Sequence, residues 1–130
     1  MKNMRNKISV TVEKTNTGFS AGADRYPVYT CGDTLDEIKE NITDALNLYF
    51  DYNKKPAIFS SQVKLNLDLS SFFDYYKVIN ASALAKKIGM HPSLLGQYIM
   101  GKKRPSTQQR DRILKGVKEI GKELAEIELV

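Results

Sequence analysis

The residue types best suited to chemistry lie in one stretch, LAKKIGMHPSLLGQYIMGKKRP, which covers residues 84–105. Gly89 and Gly101 are placed to end two short helices, and Pro92 suits the first position of the second helix. Gln97 falls on the outer side of that helix, where its amide group can offer a donor and an acceptor to the edge of an adenine. Together with the cations that follow, this spacing predicts a helical hairpin that contacts the bases and phosphates of a nucleic acid.

The positive charge of the chain is concentrated in the same half. The formal net charge is +5; residues 1–69 contain 9 basic and 9 acidic residues, whereas residues 70–130 contain 11 and 6. Between Lys77 and Lys118, ten basic residues accompany a single acidic residue, Asp111. This asymmetry predicts a polyanionic partner. The alternative is a helical hairpin whose lysines only keep its surface solvated.

The hairpin resembles the helix-turn-helix of phage repressor and Cro-like proteins. Ala85 and Gly89 stand four positions apart, Leu95 follows six residues after the glycine, and a G-K-x-x-P segment at residues 101–105 closes the second helix. In that family the second helix lies in the major groove of DNA, and its N-terminal residues meet base edges. The resemblance therefore implies that the C-terminal half binds double-stranded DNA.

Two sets of DNA contacts follow when the resemblance is carried over position by position. The base-facing candidates are Pro92, Ser93, Gly96 and Gln97. The phosphate-facing candidates are three cations and two residues at helix starts: Lys102, Lys103, Arg104, Asn80 and Ser106. A lone module of this kind gains affinity from symmetry, so we expect a homodimer or a higher homo-oligomer.

The first half of the chain predicts a small layer of strands and one helix. Residues 7–25 alternate apolar and polar side chains as a β-hairpin does, and YPVYTC adds a third strand that Pro27 keeps at an edge or at its own start. Thr34 and Glu37 form a capping box at the start of a helix of about five turns. Residues 63–69 alternate again and predict a fourth strand.

The expected fold class is therefore α+β, with two domains. Residues 1–69 should form a small antiparallel sheet with one long helix packed on it. Residues 70–130 have helical periodicity throughout and should form an all-α helix-turn-helix domain.

The chain as a whole also resembles the HicB antitoxin family in the version that carries a C-terminal helix-turn-helix. The match rests on Gly18, Phe19, Gly32, Asp33, Thr34, Glu37, Asn41 and Ala45. The resemblance implies a truncated RNase H-like N-terminal domain that binds and blocks a HicA-like toxin, an RNA-cleaving protein. It also implies that the C-terminal domain represses the shared operon.

Two other function classes remain open. One is a solitary transcriptional regulator whose N-terminal domain binds a small molecule or another protein. The other is a nuclease, for which Glu13, Asp24 and Asp33 would have to gather around Mg²⁺. Each of these carboxylates has a simpler role on a strand or beside a helix start, so we expect no enzyme and no metal or other cofactor.

The single cysteine and the single histidine also have simple roles. One Cys and one His leave a zinc site short of at least two ligands. We expect Cys31 to be a small buried side chain and His91 to be a turn or N-cap residue.

The sequence predicts a cytoplasmic protein with no membrane partner. The first ten residues, MKNMRNKISV, lack the continuous apolar stretch of a signal peptide. No segment approaches the roughly 18 apolar residues that span a bilayer. A lone cysteine also excludes an internal disulfide, as is typical of a reducing compartment.

Overall fold

The computed structural model describes residues 7–130, and the chain divides into two compact units between Ser71 and Phe72. Residues 1–6, which carry part of the segment weighed above as an export signal, lie outside the described residues. No helix within residues 7–130 combines the length and the apolar character needed to cross a membrane.

The N-terminal unit contains a four-stranded sheet with the strand order β3-β2-β1-β4. The strands are β1 (Ile8–Lys14), β2 (Phe19–Ala23), β3 (Tyr29–Gly32) and β4 (Val63–Leu67). The β1–β2 and β2–β3 pairs are antiparallel, as the sequence predicts for a hairpin and a third edge strand.

The fourth strand corrects the expected topology. β4 pairs parallel to β1, with Val10 opposite Leu65, so the sheet is mixed and the prediction of a wholly antiparallel sheet was wrong. The reason is the connection: the chain leaves β3, runs the length of a helix and a loop, and returns beside β1. A crossover of this kind brings a strand back parallel, whereas a tight turn would make it antiparallel.

One long helix, α1 (Leu35–Tyr52), covers a face of this sheet. Its Ile38, Ile42 and Leu46 side chains are fully buried, and they share a core with Val10 and Val12 of β1. Each such aliphatic side chain contributes about 1.5–3 kcal/mol when it is removed from water. The helical stripe and the strand alternation predicted from the sequence are therefore confirmed as the two sides of one core.

Hydrogen bonds tie the start of α1 to the edge of the sheet. Thr34 Oγ1 accepts from the Glu37 N–H at 3.1 Å, as the capping box predicts. The Glu37 carboxylate accepts from the N–H of Asp33, one residue before the expected Thr34, at 3.0 Å. Asn41 Nδ2 donates to the carbonyl of Cys31 in β3 at 3.0 Å.

The edge strand explains two further observations. A Cβ on Gly18 would lie 2.5 Å from the Gly32 carbonyl oxygen, so only glycine fits directly before β2.

Cys31 lies opposite Ser20 and is exposed, which makes the prediction of a buried cysteine wrong. Strand alternation places Cys31 on the face of the sheet that α1 does not cover.

The C-terminal unit is helical, as predicted. The remaining helices are α2 (Leu69–Tyr75), which includes the boundary between the units, α3 (Ala81–Lys87), α4 (Pro92–Ile99) and α5 (Thr107–Glu126). A short 3₁₀ turn at Ser60–Gln62 precedes β4. Among the most deeply buried side chains of the C-terminal unit are Leu84, Ala85, Leu95 and Ile113, contributed by α3, α4 and α5.

Candidate nucleic-acid interface

The turn between α3 and α4 has a fixed backbone geometry. Gly89 has a φ of +71°, the left-handed region that the sequence predicts for this glycine. Its N–H donates to the Lys86 carbonyl at 3.2 Å, and the Met90 N–H donates to the Ala85 carbonyl at 2.8 Å. These two bonds form a Schellman motif, which stops α3 and turns the chain within four residues.

The start of α4 is held by His91, whose predicted N-cap role is confirmed. Its Nδ1 accepts from the Ser93 N–H at 3.2 Å and lies 2.7 Å from Ser93 Oγ. Pro92 occupies the first helical turn, where its missing N–H costs nothing. The Ser93 hydroxyl, a predicted base contact, is therefore already held by a neighbouring side chain.

The four base-facing candidates share the side of α4 that points away from the core. Leu95 and Tyr98 are buried beneath the helix, Ser93 and Gln97 are exposed, and Pro92 and Gly96 are half-buried. A Cβ added to Gly96 would meet no atom within 4 Å, so the surface around it is open. We call the face formed by these four candidates the outer face of α4.

A run of cations follows directly at the end of α4. Gly101 has a φ of +76°, and the N–H groups of Lys102 and Lys103 donate to the Gln97 carbonyl at 2.9 and 3.3 Å. The side chains of Lys102, Lys103 and Arg104, here called the basic run, are exposed. Within residues 7–130 none of the three forms an ion pair. The backbone of Gln97 thus anchors the basic run beside the outer face.

The two remaining phosphate candidates cap helices. Asn80 Oδ1 accepts from the Ala83 N–H at 3.0 Å at the start of α3. Ser106 Oγ accepts from the Gln109 N–H at 3.1 Å at the start of α5. Both side chains satisfy backbone donors of their own helices, which leaves the other N–H groups of those first turns to solvent or to an anion.

Sequence reasoning missed two residues of α5 that position the hairpin. The Arg112 guanidinium donates to the Gly89 carbonyl at 3.0 Å and so holds the turn between α3 and α4. From the sequence, Arg112 was noted only as one of the positive charges of this half. Gly116 lies against α3 so closely that a Cβ would overlap the Cγ2 methyl of Ile88. The sequence does contain one indication of this contact: Gly116 stands beside the apolar stripe of a long helix. Close packing against another helix is one reason for a glycine in such a position.

The N-terminal unit exposes apolar side chains around a shallow hollow. Tyr29 is 76% exposed, Leu48 73% and Tyr52 86%, and all three line the same hollow between β3 and the second half of α1. We call these three residues the aromatic patch. Exposed apolar patches of this kind mark interaction surfaces more often than isolated apolar residues do.

A second surface of the N-terminal unit is basic. A cleft of about 550 Å³ is lined by Lys7, Arg25 and Lys55, and among residues 7–130 no acidic residue lines it. The Lys55 ammonium lies 5.9 Å from the centroid of the Tyr26 ring, which also lines the cleft. The volume is in the range of small-molecule sites, which are about 300–1,000 Å³.

The carboxylates considered for a nuclease do not form a metal site in the described part of the chain. Within residues 7–130 no three His, Cys, Asp or Glu side chains are grouped so that they could hold a metal ion. Asp24 instead accepts a hydrogen bond from Thr11 Oγ1 at 2.7 Å.

Comparison with known proteins gives one informative relative. No family model matches the chain. A UPF0150 protein of Thermotoga maritima is 30% identical over 64 residues, which is 49% of this chain and 91% of the relative. Since nearly the whole of that relative is matched, this chain belongs to the UPF0150 protein family.

Proposed function

We propose that this chain is an antitoxin of the HicA/HicB type that also represses its own operon. In this proposal the C-terminal unit binds operator DNA through the outer face of α4, and the N-terminal unit binds an RNA-cleaving, HicA-like toxin. The observation that carries the proposal is the outer face of α4, on which Gln97 is exposed, with the backbone of the basic run anchored to the Gln97 carbonyl.

The hairpin suits the major groove because its parts are rigid. The Schellman turn at Gly89, the Arg112 bond to that turn and the His91 cap fix where α4 begins. α4 has eight residues and is about 12 Å long. A helix with its side chains is about 10–12 Å across, so a major groove about 12 Å wide admits it. A helix held in this way presents its outer face with little ordering cost on binding.

Charge supplies the affinity that is independent of base sequence. The three cations of the basic run are exposed and within residues 7–130 have no carboxylate partner, so each is free to replace a counterion at a phosphate. The capped starts of α3 and α5 add backbone N–H groups that favour anions. In the proposal these groups set the position on the duplex, and Gln97 reads a base.

Gln97→Ala tests the assignment of the groove. We expect it to cost about 1–3 kcal/mol at one operator base pair and to leave binding to random DNA unchanged. Gln108→Ala is the matched control, since Gln108 is exposed in the first turn of α5 and should affect no base preference. The measurement is binding to an operator set with each base pair varied. Equal specificity profiles for the two variants would refute the groove assignment.

The toxin half of the proposal rests on the HicB resemblance and is supported by the aromatic patch. Leu48 and Tyr52 offer an aliphatic side chain and a phenol ring on α1. Tyr29 of the edge strand lines the same hollow, and its ring lies over Gly22. Aromatic anchors of this kind carry much of the energy in protein interfaces. Apart from Phe59, they are the large hydrophobic side chains most exposed in the part of the N-terminal unit that the structure describes.

Leu48→Asp should abolish co-purification with the product of the adjacent gene, which the proposal expects to be a short basic protein. A charge in the centre of the patch would be buried without a partner on binding. Phe59→Asp is the matched control, because Phe59 is equally exposed but does not line the hollow. Co-purification that survives Leu48→Asp but not Phe59→Asp would place the toxin surface elsewhere.

The basic cleft favours a second candidate function. The cleft is lined by three cations, Lys7, Arg25 and Lys55, and by a Tyr ring, and this lining suits an anionic small molecule. A solitary regulator with a ligand-binding domain would require such a ligand site. Operator binding that depends on Gln97, together with no protein partner from the adjacent gene, would favour this candidate over the antitoxin.

A further inference from the structure

The basic cleft of the N-terminal unit brings together cations from three separate parts of the chain. Lys7 lies at the start of β1, Arg25 in the turn between β2 and β3, and Lys55 just after α1. Residues 7–69 contain seven basic and nine acidic residues, yet three of the basic ones and none of the acidic ones line the cleft. The cleft is therefore positive because the fold gathers these cations, and not because of the composition of this segment.

The cations of the cleft are not neutralised by nearby carboxylates. Within residues 7–130 none of the three forms an ion pair. The carboxylate of Asp24, next to Arg25 in the sequence, accepts a hydrogen bond from Thr11 Oγ1 and does not line the cleft. Lys7 donates one hydrogen bond, to the carbonyl of Ser61 at 3.3 Å. A concave surface lined by charge of one sign concentrates ions of the opposite sign.

The wall beside the cations is aromatic and apolar. Tyr26 packs edge-on against Phe50, with ring centroids 5.0 Å apart and an angle of 85° between the rings. Phe50 belongs to α1 and is buried in the core of the unit. Pro56 and Ile58 continue the lining on the side of the loop that follows α1. The cleft thus offers a flat apolar surface next to its positive charge.

The loop that carries part of this lining is fixed by hydrogen bonds within the unit. Lys54 has a φ of +58°, and the Lys55 N–H donates to the Phe50 carbonyl at 2.7 Å, as in a Schellman motif at the end of α1. Asn47 binds both backbone groups of Ile58: its Oδ1 accepts at 2.8 Å, and its Nδ2 donates at 3.1 Å. A cleft whose walls are already ordered loses little conformational entropy when a ligand binds.

The lining indicates the class of ligand. Several cations together call for more than one negative charge, and an arginine matches the oxygens of a phosphate group with two parallel hydrogen bonds. The aromatic wall calls for a planar apolar group beside that charge. A volume of about 550 Å³ suits a small molecule. A nucleotide combines phosphate, a planar base and a suitable size.

We propose that the basic cleft is a nucleotide-binding site. The phosphates lie among Lys7, Arg25 and Lys55, and the base packs against the wall formed by Tyr26 and Ile58. The inference gives the second candidate function its ligand and rests on the cleft of that candidate, not on toxin binding or on base reading by α4.

Isothermal titration calorimetry of the full chain with adenosine 5′-diphosphate tests the site. We expect saturable binding with a dissociation constant of about 10–100 μM. Inorganic pyrophosphate, which lacks the base, should bind at least about tenfold more weakly, and adenosine, which lacks the charge, should give no measurable heat. Absence of saturable binding of the diphosphate would overturn the proposal. Pyrophosphate bound as tightly as the diphosphate would overturn the placement of the base, and with it the nucleotide assignment.

Two charge-removing variants test which residues hold the phosphates. Arg25→Gln and Lys55→Gln should each weaken binding of the diphosphate by about tenfold, because each removes a charge-assisted hydrogen bond. Lys64→Gln is the matched control, since Lys64 is an exposed lysine of the same unit that does not line the cleft. Circular dichroism confirms that each variant is folded. A control variant weakened as much as the other two would reduce the effect to general attraction and overturn the site.

Chemical-shift mapping by NMR separates the cleft from the basic C-terminal unit. The diphosphate should shift the amide signals of Arg25, Lys55 and Ile58 and leave those of Gln97 and Lys103 in place. Shifts confined to the C-terminal unit would overturn the proposal, and so would a short RNA strand that binds through Arg25 and Lys55 more tightly than the diphosphate. Gln97→Ala should bind the diphosphate like the parent chain, so a failure of DNA reading and a failure of the nucleotide site are separate results.

Discussion

Gly116→Val should lower the free energy of unfolding of the C-terminal unit by about 2–3 kcal/mol, because a branched side chain must fit where a single Cβ already overlaps Ile88. Ile88 caps the end of α3, directly before the turn at Gly89. A shift of α3 away from α5 would also pull the Gly89 carbonyl from Arg112. We therefore expect DNA binding to fall together with stability.

Gly121→Val separates this packing effect from a general effect of glycine in a helix. Gly121 lies in the same helix, and apart from that helix's own backbone no described neighbour lies within 4 Å of its Cβ position. Valine is the better helix former, so stability should be unchanged or slightly higher. Amide hydrogen exchange at Leu84 and Ile113 is the measurement, since it reports the C-terminal unit separately from the rest of the chain. Unchanged protection in Gly116→Val would contradict the close crossing of α3 and α5.

The features that the sequence predicts well are those determined within a few residues. Gly89 and Gly101 both adopt positive φ, and His91 and Thr34 cap the helices they precede. In each case the backbone conformation or the capping bond involves residues no more than five apart. The helix boundaries, and with them the outer face of α4, could therefore be derived from residue types alone.

The features that the sequence misses depend on contacts between distant residues. The direction of β4 is decided by how the chain returns from α1, and strand alternation is the same in either direction. The partner of Arg112 lies 23 residues away, at Gly89. Cys31 belongs to a strand whose exposed face is defined only once α1 has packed on the other side. Composition and periodicity hold no information on any of these.

The same division applies to the candidate site. Helical periodicity places Ser93 and Gln97 on the exposed side, and the structure agrees. Only the structure places the Ser93 hydroxyl 2.7 Å from His91 Nδ1, which leaves Gln97 the less restrained of the two side chains. It also joins the backbone of Lys102 to that of Gln97. The residues proposed for base reading and for phosphate binding therefore belong to one segment.

Replacing Lys102, Lys103 and Arg104 together by glutamine should weaken binding to operator and random DNA alike, by about 100-fold. Each exposed cation near a phosphate contributes about 1 kcal/mol at 4 Å in water, and about 1.4 kcal/mol changes affinity tenfold. The slope of log affinity against log salt should become shallower by roughly 0.9 for each phosphate contact that is lost. Affinity measured by fluorescence anisotropy at several salt concentrations gives both quantities.

The matched control is a second triple variant, in which three exposed lysines of the N-terminal unit are replaced by glutamine: Lys54, Lys55 and Lys64. This variant lowers the formal net charge of +5 by the same three charges. A general attraction between a basic protein and DNA would weaken equally in both triple variants. Phosphate contacts local to the basic run would change the affinity and the salt slope only in the first. Equal salt slopes in the two variants would show that the basic run does not touch the DNA, and that the positive charge of the C-terminal half only keeps its surface solvated.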